Sequence, residues 1–354
     1  MGSPSSDGRW PGVPIALASA LLFGISTPLA KILLGDVQPV VLAGLLYLGS
    51  GVGLWLLRRV GALRRAANEP GLQRRDLPVL ALVVVLGGMV GPLLLMSGLA
   101  TTPASTASLL LNLEGVLTLG IAWVIFHENV DLRIGAGAIA ILGAAALLSW
   151  SPGHRAVSWR SLAIVGACLA WAIDNNVTRK LSGGDPVQLA MIKGLAAGSL
   201  NAVMATAVRA QRPSFGLALA AGVVGLIGYG VSLACFILAL RHLGTARTGA
   251  YFSVAPFVGA TVAVVALGDP VTARFVIAAA LMAVGLYLHL TERHQHEHQH
   301  EPMAHEHRHV HDAHHQHAHA AGDPPGEPHT HWHEHSALVH SHPHYPDLHH
   351  RHSH

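Results

Sequence analysis

Apolar runs of about twenty residues recur along the chain, each closed by a short link of polar or helix-breaking residues. A membrane-spanning helix needs roughly 20 mostly apolar residues. Ten stretches meet that requirement: 12–34, 39–57, 77–99, 104–126, 132–151, 159–180, 186–208, 217–240, 246–267 and 271–290. The breakers fall between them, at Asp36 to Pro39, Pro103, Asn129 to Asp131, Ser151 to Gly153, Gly183 to Pro186, Pro213 and Gly268 to Pro270. Short links make sequential helices antiparallel neighbours in one bundle. Arg9 ahead of an apolar stretch containing Ala16, Ala18 and Ala20 resembles a leader with a small-residue cleavage site. The stretch continues through Leu34, however, a length that predicts a spanning helix. The pattern stops near His289. The prediction is therefore an all-α polytopic membrane protein of about ten helices with a disordered C-terminal tail.

The apolar pattern also repeats. The stretch from Leu21 (LLFGISTPLAKILLGDVQPVVLAG) has a partner from Cys168 (CLAWAIDNNVTRKLSGGDPVQLAM), and Leu99 to Val130 aligns without gaps to Leu240 to Val271. Each copy holds five spans, so the second sits upside down relative to the first. Inverted repeats are the plan of secondary transporters, whose substrate site lies near the midplane between the halves. The chain then divides into a short N-terminus (1–11), a first five-helix repeat (12–151), a second (152–290) and the tail (291–354). The pairs Gly49/Gly53, Gly87/Gly91 and Gly194/Gly198 have the spacing that lets helix backbones approach closely in lipid.

Composition sharpens this picture. Residues are 51% hydrophobic and 12% charged, about half the charged fraction of a soluble chain. The mean hydropathy of +0.44 includes the polar tail. The net charge of +3 comes with no dense basic patch, so nucleic acid is not expected as a partner. Cys168 and Cys235 both lie in apolar runs and give no disulfide framework. With the N-terminus inside, inner segments hold twelve Lys/Arg against five in outer loops, the decisive loop being 58–75. The positive-inside rule then places both termini in the cytoplasm.

Several stretches resemble the drug/metabolite transporter superfamily in its EamA-type branch, over about residues 12 to 290. Phe23-Gly24-Ile25-Ser26-Thr27-Pro28 is similar to the family's first-helix stretch, with Phe for Trp, and Leu113-Glu114-Gly115-Val116 to its "EPV" stretch, with Gly115 where proline is usual. The second copy keeps Pro256 but has Ala255 in place of the acid, while His127-Glu128 and Gly268-Asp269 resemble the family's acidic helix ends. The resemblance implies transport of small organic solutes across a bacterial-type inner membrane, with the lipid bilayer and a solute as partners, no required cofactor, and a homodimer left open.

Ionisable residues inside spans are costly and mark candidate chemistry. Glu114 lies mid-span, either as a proton-coupling carboxylate or cation ligand or as an interhelical hydrogen bond that fixes packing. Asp174, Asn175 and Asn176 cannot all face lipid, so some face a cavity or another helix; Asp174 shares a helix face with Thr178. Trp171 sits one turn away, as cavity lining or as packing. Lys193 either pairs with Glu114, binds an anion, or snorkels; it is taken here as counter-charge to the Asp174/Asn175 group. Tyr229, Tyr251 and Ser253 are weaker polar points, since lone tyrosines near helix ends are usually interfacial anchors.

From His289 onward the chain carries 24 of its 27 histidines. They alternate with other residues at His294, His296, His298 and His300, at His305, His307, His309 and His311, at His329, His331, His333 and His335, and at His340, His342 and His344. Neutral imidazole binds zinc, nickel and cobalt; the bland alternative is a solvated tail that charges below about pH 6.5. The expected function is secondary transport, in the direction of export, of a small organic solute by alternating access, with proton coupling. The alternative is divalent-metal efflux or a metal-responsive role using the tail. The absence of a nucleophile elbow, P-loop or HExxH argues against an enzyme.

Overall fold

The computed structural model describes residues 12–60, 72, 74–126, 132–149, 159–178, 181, 185–291, 295–300, 303–309, 329–335 and 338–343. The chain forms two units, Met1–Glu292 and Arg293–His354. His127, Glu128, Arg179, Lys180, His294 and His311 lie outside the described residues.

Among its described residues the first unit has helices and no strand. Its first half contains α1 (Gly12–Leu33), α2 (Pro39–Arg59), α3 (Leu77–Val83), a π-helical segment Val84–Val90, α4 (Gly91–Leu99), α5 (Ala104–Leu110), α6 (Leu113–Phe126) and α7 (Leu132–Ser149). Its second half contains α8 (Trp159–Thr178), α9 (Pro186–Ala207), α10 (Phe215–Gly225), a π-helical segment Leu226–Val231, α11 (Ser232–Phe252), α12 (Ala255–Leu267) and α13 (Ala273–Leu290). These helices cover all ten expected spans. Eight stretches are long and apolar enough to cross a membrane by length and composition, and Ala273–His289 is a shorter apolar helix. The remaining span, α8, is diluted by its Asp174-Asn175-Asn176 run.

Local sequence explains the ends. Pro39 and Pro186 open α2 and α9, where a missing N–H costs nothing. Asp185 caps α9 by accepting from the backbone N–H of Val187 (2.9 Å) and Gln188 (3.0 Å). Its second oxygen accepts from Arg58 at the end of α2 (2.7 Å), tying those two helix ends together. Gly268 closes α12 with φ of 68°, the left-handed conformation glycine adopts without strain.

Two boundaries differ from the sequence expectation. A link was expected between spans ending at 240 and starting at 246, yet α11 keeps helical backbone through this stretch to Phe252. The repeat explains the difference: Pro103 breaks the first copy, and its aligned partner is Gly244, which still donates its N–H. The fourth and ninth spans are also interrupted. The first copy breaks at Leu111–Asn112 and the second at Ser253–Val254, close to aligned positions. Pro256 accounts for the second break. The first has no proline; there the Asn112 amide donates to the Leu109 carbonyl (3.2 Å), a local bond that competes with helix continuation.

The interior is filled by aliphatic side chains, among them Leu42, Leu46, Leu95, Met96, Leu109, Ile164, Leu189 and Met282. Large apolar side chains also cover the outside, with Val265 at 79% and Val203 at 66% exposure, as a lipid-facing surface requires. α2 and α9 meet through small residues. A Cβ on Gly194 would lie 2.6 Å from the backbone nitrogen of Gly51, and one on Gly198 2.5 Å from that of Leu48. Because backbone cannot step aside as a side chain can, Gly194→Ala is expected to destabilise the bundle by about 1–3 kcal/mol. Thermal unfolding of the detergent-purified variant reads this, and an unchanged melting temperature would refute the close approach.

In the second unit, β1 (Gln295–His300) pairs antiparallel with β4 (Leu338–Pro343), and β2 (Met303–His309) with β3 (His329–His335). The pairing follows the alternation in the sequence, since a period of two is the period of a strand.

Candidate functional site

The site grows from three irregularities in the helices. The π-helical turn at Val84–Val90 loosens the regular ladder of backbone bonds and leaves carbonyls for side chains. The Gly87 carbonyl accepts from the Tyr47 hydroxyl (2.7 Å) and from Trp171 Nε1 (2.9 Å), and the Gly88 carbonyl accepts from Asn201 (3.1 Å). Gly87 also makes room: a Cβ there would run into the Asp174 carboxylate and lie 2.8 Å from Lys193 Nζ. The break at Leu111–Asn112 starts α6 afresh at Leu113, which puts Glu114 in its first turn. A carboxylate is favoured there by the positive end of the helix dipole.

The polar run of α8 then distributes itself by helical geometry, each residue turning about 100° from the last. Asp174 faces α9 and forms a buried ion pair with Lys193; its other oxygen accepts from Thr178 (3.0 Å). Asn175 faces α6 and donates its amide to Glu114 Oε1 (2.7 Å). Asn176 donates to the Thr118 carbonyl (3.1 Å) and to the Ala172 carbonyl on its own helix (2.9 Å). Lys193 therefore pairs with Asp174 and not with Glu114. Lys31 donates to the carbonyls of Leu99 (2.8 Å) and Ala100 (3.1 Å), capping the end of α4.

Asp174, Lys193, Asn175 and Glu114 border one cavity. Glu114, Asp174, Asn175, Lys193 and Trp171 all line it, as does Tyr229, whereas Asn176 is not among the lining residues. The opposite wall is aromatic. Phe23 stacks edge-on to Trp171 (centroids 6.0 Å apart) and to Tyr229 (5.7 Å), and lies against Phe252 (5.3 Å). Tyr47 meets Tyr229 at 5.4 Å, and Phe236 meets Phe252 at 4.9 Å. Tyr47, Phe236 and Phe252 were missed by sequence reasoning. Aromatic residues are only 5% of the chain, and their recurrence inside apolar spans was the available signal. The second π-helical segment, Leu226–Val231, supplies Gly228 and Tyr229 to the lining, whereas the first acts through Tyr47 and Trp171, which bond its Gly87 carbonyl. Tyr251 and Ser253 are not among the lining residues.

Chemically, the cavity holds two acids and one base in an apolar, aromatic frame. The ion pair accounts for Asp174 and Lys193, while Glu114 is held by a neutral amide. Among the residues whose side chains are described, no group of three or more His, Cys, Asp or Glu is placed to hold a metal ion.

Comparison with known proteins agrees with this architecture. A curated relative from Methanothermobacter thermautotrophicus, named an uncharacterized transporter, is 28% identical over 290 residues, covering 77% of this chain and 84% of its own. A second, from Streptantibioticus cattleyicolor and named a probable terminal-alkyne amino-acid exporter, is 26% identical over 229 residues, covering 59% of this chain and 72% of its own. A solved crystal structure, 20% identical, superposes with a TM-score of 0.60 over 79% of this chain and 96% of its own, a likeness of fold alone. The EamA-like transporter family matches in two copies, over residues 10–150 and 158–291. A helical bundle built around a polar cavity and matched twice by that family belongs to the EamA-like transporter family: the chain is a multi-pass membrane transporter and not an enzyme.

Proposed function

We propose that the protein exports a small organic solute bearing an amine, exchanging it for a proton at Glu114 by alternating access of the two repeats. The observation that carries the reading is the state of Glu114: half-buried in the cavity wall, bonded by Asn175, and without a described salt bridge. A carboxylate in that setting is stabilised by a proton or by a cation. A solute ammonium and a proton are then alternative occupants of one group, which is the minimal requirement for exchange. The aromatic wall suits the apolar body of such a solute and adds cation–π attraction. The amino-acid exporter among the relatives supports a substrate of this class.

We place the N-terminus and the tail in the cytoplasm of a bacterial-type inner membrane, on the Lys/Arg bias of twelve inner against five outer residues. Among the described residues of the bundle no cluster of ligands supports metal efflux.

The test is counterflow in proteoliposomes with an imposed pH gradient, across a panel of amino acids, amines and carboxylates of matched size. Amine-bearing solutes are expected to move and to draw protons the other way. Movement of the carboxylates alone, or flux indifferent to the gradient, would overturn the reading.

A further inference from the structure

Val52, Trp55, Leu56 and Arg59 near the end of α2 are all exposed. Their spacing puts them on one face of the helix. An exposed apolar stripe on a spanning helix meets acyl chains, so the face that carries Arg59 is a lipid face. The Arg59 guanidinium lies 5.4 Å over the Trp55 ring. Tryptophan favours the headgroup level of a bilayer, and stacking holds the cation at that level.

The rest of this end of the bundle adds charge. Arg58 is spent on Asp185, the cap of α9 (2.7 Å). One turn further along α9, Gln188 Oε1 accepts from the Leu72 backbone N–H (3.2 Å). The chain that leaves α2 therefore returns to the first turn of the same neighbouring helix. That return delivers Arg74 and Arg75, both exposed, in a short 3-10 turn (Arg74–Asp76) leading into α3. A second lipid-facing stripe follows them, with Pro78, Ala81, Leu82 and Val85 exposed at the same helical spacing. Among the described residues no ion pair engages Arg59, Arg74 or Arg75, and counting Asp76 against them still leaves the group basic. The second repeat carries no copy. Aligning Pro39 with Pro186 sets Arg58 and Arg59 against Ala205 and Thr206. Arginines that only orient a membrane protein need to lie in a loop. A place on the lipid face, stacked on an interfacial tryptophan, serves a different purpose.

We infer that the end of α2 and the start of α3 form a binding surface for an anionic phospholipid, with an acyl chain along Val52 and Leu56 and the headgroup phosphate at Arg59, rimmed by Arg74 and Arg75. A guanidinium matches phosphate oxygens in a planar, two-pronged way. Each basic residue near an anionic lipid surface strengthens binding about fivefold. A zwitterionic lipid carries the same phosphate beside its own cation, so this surface selects lipids of net negative charge. Bound lipid also stabilises the folded bundle by mass action. This inference is independent of the transport reading.

The experiment adds phosphatidylglycerol or phosphatidylcholine to the delipidated full-length protein in neutral detergent. Lipid retained in native mass spectrometry and the melting temperature are the two readouts. Phosphatidylglycerol is expected to be retained at least tenfold over phosphatidylcholine and to raise the melting temperature. Inorganic phosphate at the same concentration should do neither. Arg59→Gln, Arg74→Gln and Arg75→Gln together should cut the preference at least tenfold. Because all three side chains are exposed, the melting temperature in phosphatidylcholine should stay that of the parent. Arg59→Gln alone should cost about fivefold. Arg209→Gln with Arg212→Gln removes two exposed arginines beyond the opposite end of α9 and should leave the preference intact. Full preference in the triple variant, or equal losses in the triple and the Arg209/Arg212 variants, would show that no particular surface is read and overturn the inference. Equal retention of the two lipids by the unaltered protein, or the same stabilisation from inorganic phosphate, would overturn it as well.

Discussion

Glu114→Gln is expected to insert and fold normally while losing proton-driven transport, by a hundredfold or more in flux down a pH gradient. The amide has nearly the shape of the acid and can still bond Asn175 across the 2.7 Å contact with α8. What it cannot do is alternate between a protonated and an ionised state. Each degree of failure is informative. Counterflow without a gradient should persist weakly if the amide still admits solute, whereas net accumulation should vanish. Transport that keeps its full pH response in this variant would remove Glu114 from the mechanism. The chosen readouts separate this from collapse of the fold, since the same sample is scored for monodispersity and melting temperature.

The Asp174–Lys193 pair predicts the largest effect on stability. Both side chains are buried, at 4% exposure each. Removing one partner leaves an uncompensated charge in an apolar bundle, which costs about 3–5 kcal/mol. Asp174→Asn and Lys193→Met are each expected to lower yield and melting temperature sharply. The double variant should recover most of the loss, because two neutral groups of similar volume leave no orphan charge behind. Recovery of stability without recovery of transport would assign the pair to solute handling as well as to folding. Single variants as stable as the parent protein would show that water or a rearranged neighbour already compensates the charge.

Which parts of this architecture sequence could show follows from what each signal measures. Hydropathy integrates over a whole helix, so the ten spans are readable despite imprecise ends. The Asp174-Asn175-Asn176 run stands out because three consecutive polar residues sample most of a helix circumference and cannot all avoid a partner. The partners themselves are another matter. Whether Lys193 meets Glu114 or Asp174 depends on how α8, α9 and α6 are rotated about their axes, and that is settled by packing far from the charges. The break ahead of Glu114 has no proline to announce it; an asparagine amide turning back on its own helix does the work instead. The aromatic wall is hardest to foresee. Phe23, Tyr229 and Phe252 come from α1, the second π turn and α11, and each taken singly resembles ordinary packing. The tail's alternation is plain in the sequence, but opposite partners are set by where a chain folds back, which composition does not encode.

The near-aligned helix breaks in the two repeats differ in one respect: Glu114 follows the first, and Ala255 stands at the aligned position after the second. A duplicated frame thus carries a single ionisable group at that junction, which bounds the stoichiometry. In the exchange proposed here, no more than one proton crosses per turnover through this point. One-for-one exchange of a proton for a monovalent cation moves no net charge, so the membrane potential would neither drive nor oppose it. With a zwitterionic solute the same cycle carries one positive charge inward, and the potential would add to the pH gradient. The voltage sensitivity of transport therefore reports the net charge of the cargo.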